Sequence, residues 1–195
     1  ALTGRLIFNG IDELRRFNAL GKRRLPIYAD AKTGTELRRI FSYAFGGPAG
    51  PGGGVPEVAL TEIDGPFDVE GVAVLPVPIM HGPQPILGFR IGAFAYLTDC
   101  NHVPESSMAL LTGLDVLVLD ALRHRPHPTH FTLAEAVEVA TRIGARQTCF
   151  THICHDLPHA ATNATLPPGM ALGHDGQVVT IEDVPLASGH GGGAA

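Results

Sequence analysis

Four apolar runs of this chain each stop on a residue able to bind a metal or move a proton. VAVLPVPIM (72–80) runs into His81, AFAYLT (93–98) into Asp99, VLVL (116–119) into Asp120, and QTCFT (147–151) into His152. The runs are short and either alternating or β-branched, which is the pattern of strands rather than helices. Residues just past the strand ends of an open sheet converge on one edge, and ligands bind there. Each residue alone is ordinary. An Asp after a strand commonly caps a turn, and a lone His is commonly a satisfied core or surface side chain. Repetition over four strand ends has no reason under that ordinary reading.

His81, Asp99 and His152 supply two imidazole nitrogens and a carboxylate, a donor set that suits zinc, manganese or iron. The carboxylate of Asp99 is also able to bridge two ions. RHRPHPTHF (123–131) adds three histidines. Its prolines impose an extended loop, so chelation by all three is not expected. His130, at the start of a predicted helix, can reach the site as proton donor or phosphate contact. His124 and His127 read as ordinary loop residues. His155, His159, His174 and His190 read as structural or surface residues.

Along the chain, GIDELRRFNAL (10–20) and TGTELRRIFSYAF (33–45) carry helical spacing, with the strand LPIYAD (25–30) between them. GGPAGPGGGVP (46–56) is too rich in Gly and Pro for regular structure and reads as a mobile loop. Strand patterns return in VALTEI (58–63) and VAVLPVPIM, and ILGFRIGAFAYLTDC (86–100) predicts two strands joined tightly at Gly92. FTLAEAVEVATRIG (131–144) predicts a helix, with Thr132 and Glu135 as a capping box and Gly144 as its C-cap. MALGHDGQVVTI (170–181) predicts a hairpin turning at Asp175-Gly176. The class is α/β or α+β with layered sheets. Residues 1–185 read as a single domain and 186–195 as a flexible Gly-rich tail.

Composition narrows the function classes. Hydrophobic residues at 45% describe a globular protein, and a net charge of −5 argues against broad phosphate-backbone binding, which needs basic surface. GKRRLP (21–26) reads as a solvated turn, and no basic arm or aromatic platform marks nucleic acid as a partner. Three cysteines, at 100, 149 and 154, cannot all pair and point to a reducing cytoplasm. No apolar run has membrane-spanning length.

IMHG (79–82), GFRIGAFAYLTDC (88–100), LVLDALRHRPHPTHFTLAEA (117–136) and THICHD (151–156) together resemble the metallo-β-lactamase superfamily. Within it they resemble the phosphoribosyl 1,2-cyclic phosphate phosphodiesterase family, from about Gly10 to Ile181. The resemblance implies an αββα sandwich and a pair of divalent ions, zinc or manganese. It implies that His81 binds one ion, Asp99 bridges both and acts in catalysis, and His152 binds the other. His130 matches a histidine that contacts phosphate or protonates the leaving group, and Asp120 matches a strand-end acid near the site that is not a ligand. Metal-assisted hydrolysis of a small phosphorylated substrate follows, with phosphodiester cleavage as the expected reaction.

The pattern departs from that family at one place. Members carry His-x-His-x-Asp-His just before the segment matching GIDELRRFN, where this chain reads ALTGRLIFNG. The expectation is therefore an incomplete chain that lacks the first strands, is inactive alone, and self-associates through an exposed sheet edge. Two alternatives use the same residues: a non-catalytic binding scaffold, and a hydrolase of esters or thioesters with one metal ion.

Overall fold

A computed structural model of the chain describes residues 8–46 and 54–181. The ALTGRLI start, most of the Gly/Pro-rich loop and the C-terminal tail with His190 lie outside the described residues. The chain is mixed α/β and rich in sheet, and it forms two compact units that divide between Pro66 and Phe67.

The first unit is built around one parallel strand pair. A short 3-10 stretch, Phe8–Glu13, leads into helix α1 (Leu14–Gly21), which ends where Lys22 takes a left-handed φ of 47°. Strand β1 (Leu25–Ala29) runs parallel to β2 (Val58–Glu62), in register from Leu25↔Val58 to Ala29↔Glu62. Between them lies α2 (Ala31–Ile40), whose N-terminus is capped by the Asp30 carboxylate accepting from the Thr33 N–H at 2.7 Å. The predicted helix over 33–45 is thus shorter, and residues 42–45 tighten into a 3-10 turn. Ile11, Ala29, Leu37, Phe41, Ala44 and Val58 form the core of this unit.

The second unit holds a seven-stranded sheet in sequential order. Its strands are β3 (Phe67–Val69), β4 (Val72–His81), β5 (Gln84–Ile91), β6 (Phe94–Leu97), β7 (Val116–Asp120), β8 (Gln147–Thr151) and β9 (Met170–Leu172). Pairing is antiparallel from β3 to β6 and parallel from β6 to β9. Ile91 faces Phe94 across a two-residue turn at Gly92, where φ is 54°. Helix α4 (Leu133–Ile143) follows β7 and carries the predicted capping box, with Gly144 as C-cap at φ 71°. Its Leu133, Ala136, Ala140 and Ile143 share one core with Leu117, Leu119 and Phe150 of the sheet. Short helices α3 (Glu105–Met108) and α5 (His159–Asn163) complete the unit.

The sequence misses β3, which has only three residues. The predicted hairpin over 170–181 is also corrected: β9 forms and the chain turns at Asp175-Gly176, but 178–181 return no strand. The turn motif was present, yet a return strand would have needed an open edge with apolar alternation behind it, and Val178 is 88% exposed.

Topology then does what the four strand ends foreshadow. β4 and β6 point the same way because β5 reverses between them, and β7 and β8 run parallel to β6. The C-terminal ends of all four strands therefore open on one edge of the sheet.

Candidate metal centre

Asp99 follows β6 through a cis Thr98–Asp99 peptide, and its Oδ1 accepts from the Thr98 hydroxyl at 2.9 Å. His152 ends β8 in a left-handed conformation, φ 60°, which a Cβ-bearing residue adopts at a cost of about 1 kcal/mol. Its Nδ1 lies 3.5 Å from Asp99 Oδ1. Two ligand atoms at 2.0–2.1 Å from one tetrahedral ion are separated by roughly 3.3 Å, so this pair has the spacing of a shared ion. His81 closes β4 at the turn into β5, and its ring lies 4.9 Å from that of His130.

Asp120 and His130 sit deeper. Asp120 is fully buried at the end of β7, where its Oδ2 accepts from the Phe131 N–H at 3.1 Å and its Oδ1 meets His130 Nδ1 at 3.0 Å. Burial, and then the charge of Asp99, pushes the Asp120 carboxyl up to about 8. Burial, and then the neighbouring His152 and His81, pulls His130 down to about 4. The pair thus holds one proton at neutral pH. It is carried either as Asp120 O–H donating to Nδ1, or as an imidazolium donating Nδ1–H to the carboxylate. In both arrangements His130 Nε2 carries a hydrogen.

His127, read from sequence as a loop residue, belongs to the cluster. Its ring is 4.9 Å from that of His130, while His130 and His152 are 4.6 Å apart. Desolvation, and then the Arg123 charge, holds its imidazole below the usual range. The loop is fixed by Asn101, whose Oδ1 accepts from Gly82 N–H at 2.8 Å while its Nδ2 donates to the Pro128 carbonyl at 3.1 Å. Nothing in the residue pattern marks Asn101 or His127; this cross-link, with the close approach of Gly82 to Pro128 and Thr129, holds the loop against the turn that carries His81. His124 is exposed, as expected of a loop residue. His155 is 94% exposed beside Asp156, and His159 and His174 pair with each other at 6.1 Å.

The donors test the implied metal directly. Asp99 and His152 have the spacing of two ligands to one divalent ion, whereas His81 meets the cluster through His130 and does not join Asp99 and His152 within 4.8 Å. Three donors are short of two full shells. Among the described residues the groupings of three metal-binding atoms within 4.8 Å are Asp120–His130–His152 and Cys154–His155–Asp156. The second has its Asp156 carboxylate held by Arg125 at 3.0 Å. All three cysteines are free thiols.

Comparison with known proteins bears on the family and the fold. A family model described as Beta-lactamase superfamily domain matches residues 7–153. The structure is similar to the crystal structure of a new diphosphatase from the PhnP family: 42% identity, TM-score 0.79, covering 89% of this chain and 66% of that one. Zn(2+)-bound PqqB from Methylobacterium extorquens shares the fold alone, at 17% identity and TM-score 0.58, over 82% of this chain and 66% of that one. A protein named octanoyltransferase from Porphyromonas gingivalis (strain ATCC BAA-308 / W83) is 33% identical over 178 residues, 89% of this chain. The chain spans only 35% of that protein's length.

Proposed function

We propose that this chain, which belongs to the β-lactamase superfamily, serves metal-dependent hydrolysis of a phosphodiester or diphosphate linkage in a small substrate. The observation that carries the reading is the buried Asp120–His130 pair placed beside the Asp99–His152 pair. The likeness to a PhnP-family diphosphatase at 42% identity supports the phosphorus chemistry.

Under this reading His81, Asp99 and His152 hold divalent metal, zinc or manganese. Bound metal supplies Lewis acidity, lowering the pKa of water and offsetting charge on phosphoryl oxygens. The remaining work belongs to the protein. His130 directs Nε2–H toward the oxygen that departs, and Asp120 orients the ring through Nδ1 and restores its proton. Burial of Asp120 keeps that proton on the pair through neutral pH.

The test is release of p-nitrophenol from bis(p-nitrophenyl) phosphate by the zinc- or manganese-loaded protein. Turnover is expected to fall by about 10²–10⁴ in His130→Ala. A second reading, hydrolysis of an acyl ester or thioester at the same site, is favoured by the octanoyltransferase match. Turnover of p-nitrophenyl octanoate with none of the diester would replace the first reading by the second. The cytoplasm, inferred from the three free thiols, is the proposed location.

A further inference from the structure

The cluster at the sheet edge contains one imidazole that neither the proposed metal site nor the Asp120–His130 pair uses. His127 is half-buried, with its ring 4.9 Å from His130 and tilted by 39°. Its Nδ1 accepts from the Thr129 backbone N–H at 3.3 Å, and the Thr129 hydroxyl lies at the same distance. A backbone N–H can only donate, so this Nδ1 carries no hydrogen. In the neutral ring the hydrogen is therefore on Nε2.

The segment that carries His127 is held at nearly every residue. Arg123 donates to the Arg125 and Pro126 carbonyls at 3.2 and 3.1 Å. Asn101 joins Pro128 to Gly82, as described above. Gly82 has φ 59°, and a Cβ there would lie 2.9 Å from Thr129 Cγ2 and 3.2 Å from the Pro128 carbonyl. An imidazole fixed this firmly, with its tautomer set by the backbone, is organised before any ligand arrives.

We infer that His127 is a second phosphoryl-binding imidazole of this site, fixed by Thr129 as an Nε2–H donor to a non-bridging oxygen. The inference rests on the proposed phosphorus chemistry and adds a residue to it. His130 then serves the departing oxygen, and His127 serves an oxygen that stays on phosphorus. A hydrogen bond to an anionic oxygen is among the stronger kinds, so loss of this donor should weaken phosphate binding by about tenfold or more.

The experiment measures inorganic phosphate binding by calorimetric titration of the whole zinc-loaded chain, in wild type, His127→Ala and His127→Gln. Long-range ¹H–¹⁵N spectra of histidine-labelled protein read the tautomer, and a thermal melt verifies that each variant folds. The expected result is an Nε2–H tautomer at His127, about tenfold weaker binding in the Ala variant, and affinity within about twofold of wild type in the Gln variant, whose amide N–H replaces the donor. Equal binding in wild type and the folded Ala variant, or an Nδ1–H tautomer, overturns the role of His127 and leaves the phosphate site standing. Absence of phosphate binding in wild type overturns the phosphate site itself, and the inference with it.

Discussion

Asp120 is the residue on which the most chemistry depends, because it has no water to solvate its charge. Alone, its raised pKa would cost stability as pH climbs from 3.8 to about 8. His130 works the other way: its lowered pKa restores stability as pH climbs from about 4 to 6.5. The two effects cancel between about pH 4 and 6.5, since folded and unfolded chains then bind the same number of protons. Between pH 6.5 and 8 the folded pair keeps a proton that the unfolded chain has released. The metal-free protein should therefore lose about 2 kcal/mol over that window, read from urea denaturation at its two ends. Asp120→Asn can imitate the protonated acid, accepting from Phe131 N–H and donating to His130 Nδ1. Its stability should match wild type at pH 6.5 and stay flat to pH 8. A slope equal to that of wild type would place the titration elsewhere.

At the scale of elements, two substitutions separate local from tertiary causes. The α4 capping box is local: Thr132 and Glu135 satisfy each other's backbone N–H groups at 2.8–3.2 Å. Thr132→Ala should cost about 1 kcal/mol of unfolding free energy by denaturant titration, without altering the site. Gly88 in β5 is different. A Cβ there would lie 2.5 Å from Leu97 Cδ2 and 2.9 Å from the Tyr96 carbonyl, and the latter cannot retreat without disturbing the β5–β6 ladder. Gly88→Ala should cost about 1–3 kcal/mol, at or above the Thr132→Ala loss, in the same titration. The capping box was legible because it occupies four consecutive residues. The need for glycine at 88 was not, because the atoms that exclude a side chain belong to another strand.

At the scale of the molecule, the sheet order brings the proposed metal donors to one edge from up to 71 positions apart in the sequence, His81 to His152. If those donors bind an ion, the folded state gains about 2.7 kcal/mol when free ion is 100-fold above its dissociation constant. For a chain of this size that corresponds to a rise of about 5–10 °C in Tm. Zinc or manganese should produce this rise, chelator should reverse it, and Asp99→Ala or His152→Ala should abolish it. His155→Ala should leave it unchanged, which separates the edge site from the Cys154–His155–Asp156 group. Among the described residues no helix is long and apolar enough to cross a membrane. Among the described residues, both edges of the seven-stranded sheet are strands of three residues, β3 and β9.

The sequence by itself determined the mixed α/β class, the four strands that end on His81, Asp99, Asp120 and His152, the capped helix after His130, and the resemblance that the family match then bore out. These are properties of local periodicity and of short consecutive motifs. Tertiary structure decided the rest. Strand direction put four chain-distant ends on one edge, and burial set the Asp120 carboxyl against the His130 imidazole. The Asn101 cross-link helps hold the loop on which His127 lies beside His130. Periodicity reports which face of an element is apolar; which side chains meet, and how little water reaches them, is set only when the elements pack.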